Sequence, residues 1–103
     1  MAVTNKRLCK GTLSDTNATL YQAPTTTGNT SLIKTITICN KTASDVTVTI
    51  KLAGIGVFWQ FSLTANTSKT ETLNHILEAS ELIEGFASST SAIDYYISGR
   101  EVT

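Results

Sequence analysis

The chain has 103 residues, 41% of them hydrophobic and 16% charged, and its eight basic residues balance eight acidic ones. This length supports one hydrophobic core rather than two, so we expect a single domain over residues 1–103. The zero formal net charge and the lack of a basic stripe argue against nucleic acid as a partner. We find neither a signal peptide nor an apolar run near the roughly 20 residues that span a bilayer. We therefore expect no membrane partner and synthesis in the cytoplasm.

The N-terminal part of the chain contains two short strand candidates. They cover residues 8–13 and 18–22 and are separated by the turn formers of residues 14–17. Pro24 cannot donate a hydrogen bond to a central strand, so it marks the end of the second candidate. We expect residues 1–16 to form an N-terminal arm or an edge strand.

The middle of the chain predicts three consecutive strands. Residues 31–39 form the first candidate, and turn formers at residues 40–45 end it. Apolar and polar residues then alternate strictly over residues 46–52, which is typical of a strand with one buried face. Gly54 and Gly56 supply a tight connection to residues 57–63, which alternate again. These two alternating runs predict an antiparallel hairpin.

The apolar face of this hairpin is expected to supply the centre of the core. By alternation, it carries Val46, Val48, Ile50, Trp59 and Phe61.

The C-terminal part contains one ambiguous segment and one clear strand. Residues 75–86 fit one face of a helix, whereas residues 70–73 and 76–77 also suit short strands, and the residues themselves do not decide between the two. Residues 93–98 alternate, and the change of apolar parity at Gly99 predicts a bulge or a bend there. We expect the last residues, 97–103, to join the sheet and to be a place where a strand pairs between chains. The chain as a whole predicts an antiparallel β-sandwich of seven or eight short strands, Ig-like or jelly-roll-like.

Residues suited to catalysis or to metal binding are sparse. His75 is the only histidine, and no nucleophile or second base lies near it in the sequence. Cys9 and Cys39 lack the spacing of a zinc site, and without an export signal we expect them to be free thiols. Three glutamates recur at every third position from residue 78 to residue 84, as on a solvated face. We therefore predict no catalytic, cofactor-binding or metal-binding residue.

Two aromatic residues fall on the polar side of their strands. Phe58 and Tyr96 each break the alternation of apolar and polar residues around them. An exposed aromatic side chain in a small domain is typical of a contact surface. We therefore predict Phe58 and Tyr96 as candidate interface residues, against the alternative of packing within the sandwich.

Several segments together resemble a protein family. Residues 21–24, 31–42 and 45–50 resemble small β-sandwich structural proteins of tailed bacteriophages, in which a tyrosine, a proline-containing loop and Val/Thr strands follow one another. The resemblance continues through residues 77–83 and 93–99. It implies strand and turn, not helix, for the ambiguous segment. One departure is Ala79-Ser80, where a glycine is common.

The resemblance implies a function in assembly. The expected protein is a non-enzymatic virion subunit of the capsid decoration, neck or tail accessory type, made in the host cytoplasm. Its expected partners are copies of itself and other virion proteins. The alternative is an Ig-like module that binds a host-surface carbohydrate or protein, with Phe58 or Tyr96 as its platform.

Overall fold

The computed structural model describes residues 3–102 as an all-β chain of eight strands. The strands are β1 (Val3–Thr12), β2 (Ala18–Gln22), β3 (Thr30–Asn40), β4 (Val46–Leu52), β5 (Ile55–Leu63), β6 (Ser68–Leu77), β7 (Leu82–Ala87) and β8 (Ile93–Val102). They form two antiparallel sheets of four, which confirms the predicted β-sandwich. Residues 1, 2 and 103, which belonged to the predicted N-terminal and C-terminal segments, lie outside the described residues.

The strand order decides which backbone edges are open. The first sheet has the order β1-β8-β3-β6 and the second has the order β2-β7-β4-β5. β1 is therefore an edge strand, in agreement with one of the two predictions for the N-terminal segment. β8 lies between β1 and β3 and pairs with both along its whole length. The prediction that the terminal segment offers a free edge to another chain is wrong for the residues that are described.

The core lies between the two sheets, and the pair β3 and β8 forms its centre. Ile36 and Ile38 of β3 and Ile93 and Ile97 of β8 are fully buried. They face inward because these strands alternate regularly on both sides of one bulge, at Lys34. The β4 residues Val46, Val48 and Ile50 are buried opposite them, as predicted.

The β4–β5 connection is a two-residue turn made by Ala53 and Gly54. Both have positive φ, 51° and 81°, as the two central residues of a type I′ turn must. This turn matches the right-handed twist of the strands that it joins. The predicted link from Gly54 to Gly56 was therefore one residue too late, and β5 already begins at Ile55.

β5 does not keep the alternation that its sequence suggests. Val48 and Ile50 of β4 pair with Phe61 and Phe58, so one β4 residue lies opposite the two residues Trp59 and Gln60. This is a β-bulge, and Gln60 takes up the extra residue with a φ of 49°. As a result, Phe58 and Trp59 face the opposite sides of the sheet from those that simple alternation predicts. The prediction of a buried Trp59 is therefore wrong, and Phe58 takes the inward position.

The bulges around Gly99 lie in the neighbouring strands rather than in β8. β1 shifts register between Arg7 and Cys9, and β3 shifts register between Ile33 and Thr35, on either side of Gly99. A Cβ atom at Gly99 would lie 2.0 Å from the carbonyl oxygen of Leu32. Glycine is required because the β3 backbone approaches so closely. The predicted bulge at Gly99 is thus corrected to two bulges beside it.

The ambiguous segment over residues 75–86 is strand, turn and strand. β6 ends at Leu77, β7 begins at Leu82, and the intervening turn places Ser80 at a φ of 68°. This confirms the extended interpretation. It also shows that a serine occupies a left-handed position, the kind that glycine adopts most easily.

Candidate functional site

Of the two predicted interface residues, one is buried and the other is exposed. Phe58 is only 6% exposed and packs edge-to-face on Phe61, with the ring centroids 5.6 Å apart. Because the β5 bulge turns it inward, Phe58 belongs to the core and the prediction of an interface role for it is wrong. Tyr96 lies on the outer face of the first sheet and is 46% exposed, so it remains a surface aromatic residue.

Exposed apolar side chains concentrate at one lateral side of the sandwich. Among the described residues five large hydrophobic side chains are exposed, and three of them lie on β5 or β6. They are Ile55, Trp59 and Ile76, which are 71%, 67% and 63% exposed. The Trp59 ring lies against Gly56, where an added Cβ atom would be 2.9 Å from its Cε3. The β5–β6 side therefore presents apolar surface that the domain itself leaves uncovered.

A groove of about 450 Å³ runs along this side, between the β4–β5 hairpin and the end of β6. Its lining is apolar on the hairpin and mixed on β6 and the following turn. The lining residues are Leu52, Ala53, Ile55, Val57, His75, Ile76, Glu78 and Glu81. We call this region the β5–β6 groove. Sequence reasoning missed it because it joins two edge strands from different sheets.

The polar residues of the groove are His75, Glu78 and Glu81. The Glu81 carboxylate accepts a hydrogen bond of 2.7 Å from the backbone N–H of Glu78, so it holds the turn in place. His75 lies at the groove, yet the lining includes no serine, threonine or cysteine to act as a nucleophile beside it. Within residues 3–102 no three His, Cys, Asp or Glu side chains come together as a metal site. The groove therefore combines an apolar wall on the hairpin with three polar side chains from β6 and the turn that follows it.

At the opposite lateral side, where β1 and β2 adjoin, a polar cluster joins the two sheets. The Tyr21 hydroxyl on β2 donates a hydrogen bond to the Glu101 carboxylate on β8 and shares one of 3.0 Å with Ser31 on β3. Lys6 of β1 completes the cluster through an ion pair of 3.2 Å with Glu101. These contacts link the second sheet to three strands of the first.

The polar cluster also shifts the pKa values of two of its members, Tyr21 and Glu101. Burial, reinforced by the hydrogen bond to Glu101, raises the pKa of Tyr21 to about 12. The hydrogen bond from Tyr21 and the charge of Lys6 outweigh partial burial and hold the pKa of Glu101 below its usual value. At neutral pH the cluster therefore consists of a neutral phenol and an ionised carboxylate.

The four edge strands are protected in different ways. β1 carries Lys6, Arg7 and Lys10, and β6 carries Lys69 and Glu71, while β2 is only five residues long. Charges and shortness both discourage pairing with another chain. β5 has no charged residue, and only its bulges interrupt the edge. β2 also lacks charge but is short, so among the described strands β5 is the one long edge strand without a charged side chain.

The two cysteines are free thiols, as predicted. Burial raises the pKa of the Cys9 thiol to about 11, so this thiol stays protonated at neutral pH. Cys9 packs against the core from β1. Its position is that of a small hydrophobic residue and not that of a reactive nucleophile.

No protein-family model matches the chain, and no curated protein matches it significantly. None of the described residues belongs to a helix of the length and apolar character that a membrane crossing requires.

Proposed function

We propose that the protein is a non-enzymatic structural protein of a phage virion, a capsid decoration, neck or tail accessory subunit, that assembles by protein–protein contact. The observation that carries this proposal is the apolar surface of the β5–β6 side, with Ile55, Trp59 and Ile76 all more than half exposed. Such a cluster in a small domain is typical of a surface that another protein covers.

The chemistry of the β5–β6 groove favours a second copy of this chain as the occupant. β5 has no charged side chain, so two copies that meet along it bring no like charges together. The groove also carries both His75 and two carboxylates, Glu78 and Glu81. A two-fold interface uses the same patch on both copies, so groups of both kinds would be available to each copy there.

Covering the exposed side chains supplies the free energy of association. Full burial of one large aliphatic or aromatic side chain is worth about 1.5–3 kcal/mol. Three such side chains can offset a substantial part of the entropy that two associating chains lose. Because Trp59 and Ile55 cover little of their own domain, they would contribute to association with little cost to folding.

The virion assignment rests on the resemblance of the strand and turn pattern to small structural proteins of tailed phages. The structure agrees with that pattern where the sequence was ambiguous, because residues 75–86 are strand, turn and strand. Under this proposal the protein is present in the host cytoplasm before assembly and in the particle afterwards. Other virion proteins would bind surfaces that the self-interface leaves free.

Particle composition tests the assignment. Phage particles are purified from cells that produce the wild-type protein, Ile55→Lys or Val3→Lys, and the protein is quantified by mass spectrometry. Val3 is a matched control because it is also exposed and aliphatic but lies at the start of β1. We expect a fixed copy number for the wild type and Val3→Lys, and strong depletion for Ile55→Lys. Absence of the wild-type protein from particles would overturn the virion assignment.

A further inference from the structure

The outer face of the first sheet carries an ordered array of hydroxyl groups around one aromatic ring. The registers of β1, β8, β3 and β6 set three neighbouring rows of four side chains across this face. The rows are Arg7, Ser98, Thr35 and Thr72; Lys10, Tyr96, Thr37 and Thr70; and Thr12, Asp94, Cys39 and Ser68. Tyr96 is the one aromatic residue among these twelve. We call this region the hydroxyl face.

Tyr96 borders a second groove, of about 370 Å³, on this face. Lys10, Thr12, Thr37 and Asp94 also line it. A half-exposed ring beside several hydrogen-bonding side chains matches the needs of a sugar, which has an apolar C–H face and a rim of hydroxyl groups. The groove lies on the outer face of a sheet and is separate from the β5–β6 groove.

Two cations flank the Tyr96 ring. The Arg7 guanidinium carbon lies 5.9 Å from the ring centroid, in a cation–π contact that restrains the side chain. Lys10 lies directly across from Tyr96 in the β1–β8 register. Within residues 3–102 neither Arg7 nor Lys10 forms an ion pair. Both positive charges are therefore available to an anionic group on a ligand.

The carboxylate in this second groove, that of Asp94, already has two partners within the protein. Asp94 accepts a hydrogen bond of 2.7 Å from the Thr12 hydroxyl and forms an ion pair of 3.0 Å with Lys41. These contacts lower the pKa of Asp94, so its carboxylate remains ionised and can accept further hydrogen bonds from sugar hydroxyls. Across the groove, the hydroxyls of Thr37 and Thr70 share a hydrogen bond of 3.0 Å and keep capacity for another.

From this arrangement we infer that the hydroxyl face binds an acidic saccharide, a sugar that carries a carboxylate. The sugar ring stacks on Tyr96, its hydroxyl groups exchange hydrogen bonds with Asp94 and Thr37, and its carboxylate is held by Arg7 and Lys10. A nucleic acid fits less well, because the Asp94 carboxylate would lie near its phosphates and Arg7 and Lys10 are the only cations among the twelve residues of this face. The inference is independent of self-association through the β5–β6 groove.

Titration by nuclear magnetic resonance tests the inference. The ¹⁵N-labelled protein is titrated at low salt with acidic trisaccharides built from galacturonate, glucuronate, mannuronate or sialic acid. The methyl ester of each acid has the same ring and linkage without the charge. We expect shifts that cluster on β1, β3 and β8 for at least one acid, and affinity about tenfold lower for its ester, the factor that corresponds to about 1.4 kcal/mol.

Variants locate the site and separate its parts. Tyr96→Ala should weaken binding of acid and ester alike, whereas Arg7→Gln should weaken binding of the acid only. Trp59→Ala is the matched control, because Trp59 is also an exposed aromatic residue but lies on the second sheet. Circular dichroism verifies that each variant is folded. Failure of all four acids to bind at millimolar concentration would overturn the inference, as would equal affinity for the ester, loss of binding in Trp59→Ala, or tighter binding of a thymidine oligonucleotide.

Discussion

The two lateral sides of this sandwich differ in whether side chains connect the two sheets there. At the β1–β2 side, Tyr21, Ser31, Glu101 and Lys6 join the two sheets by hydrogen bonds and an ion pair. At the β5–β6 side, a groove separates the sheets and apolar side chains are exposed along it. The first side satisfies its own polar groups. The second leaves apolar surface exposed.

The two sides also differ in how their edge strands are protected against pairing with another chain. Charges on β1 and the short length of β2 discourage pairing at the closed side. On β5 the same protection is provided by backbone geometry alone, since bulges at Val57 and at Trp59-Gln60 interrupt the ladder. The bulges discourage uncontrolled strand addition while leaving the apolar side chains available for a specific contact.

The largest expected effect is on the free energy of unfolding, and it distinguishes a buried residue of β5 from its exposed neighbour. Phe58→Ala removes a buried ring that packs on Phe61, and we expect it to lower the free energy of unfolding by about 3–5 kcal/mol. Trp59→Ala removes a side chain that is mostly in water, and we expect a loss below about 1 kcal/mol. Urea unfolding of the two neighbouring variants measures both values. Equal losses would contradict the bulge that assigns these residues to opposite faces.

The next effect concerns the polar cluster at the closed side. Tyr21→Phe removes the hydroxyl that links the sheets and leaves Ser31 and Glu101 without one partner. We expect the free energy of unfolding at pH 7 to fall by about 1–2 kcal/mol. Chemical unfolding at low salt measures it. Ser62→Ala on the outer part of β5 serves as the control, because that side chain is exposed.

The same cluster predicts an alkaline loss of stability. Tyr21 has a pKa of about 12 in the folded protein, against 10.0 for an unperturbed tyrosine. Below pH 10 the phenol is neutral in both states and its contribution is complete. Between pH 10 and about 12 the unfolded chain ionises first, so the free energy of unfolding falls as pH rises. Tyr21→Phe should reduce this fall, and the pKa values of Cys9 and Tyr95, also raised by burial, account for a remainder.

This assignment would be contradicted if stability fell with pH above pH 10 as steeply in Tyr21→Phe as in the wild type. Thermal unfolding at half-unit pH steps from 9 to 11.5 provides the comparison.

The smallest expected effect is at the β4–β5 turn that borders the groove. Ala53 has a φ of 51°, a conformation that costs an alanine more than an asparagine. Ala53→Asn creates Asn-Gly, the preferred pair for a type I′ turn, and we expect a gain of about 0.5–1 kcal/mol in the free energy of unfolding. Ala53→Val should instead destabilise the protein, because a branched side chain tolerates positive φ poorly. A stabilised Ala53→Val would refute the turn type.

Much of the fold could be predicted from local alternation. Residues 46–52 and 93–98 alternate in the sequence, and in the structure their apolar residues Val46, Val48, Ile50, Leu52, Ile93 and Ile97 are buried, with Thr49 of β4 buried as well. The same rule failed over β5, where the bulge at Trp59-Gln60 exchanges the faces. A bulge depends on how the partner strand is aligned, and one strand's sequence does not contain that information.

The candidate surfaces were predictable only in part. Tyr96 was identified because it interrupts a clean alternation on β8, and it is exposed. The β5–β6 groove could not be predicted, because it forms where edge strands of two different sheets face each other. Likewise, the rows of the hydroxyl face depend on registers between strands that are far apart in the sequence.

Sedimentation velocity tests most directly whether the β5–β6 side is an interface between copies of the chain. We predict that the wild-type protein shifts from monomer toward dimer as its concentration rises from about 1 µM to about 100 µM, a range typical of weak specific association. Ile55→Lys combined with Ile76→Lys should remain monomeric throughout, because it places charge in the apolar contact. Val3→Lys should associate like the wild type. A wild-type protein that is monomeric at all these concentrations, or a double variant that still associates, would contradict the account.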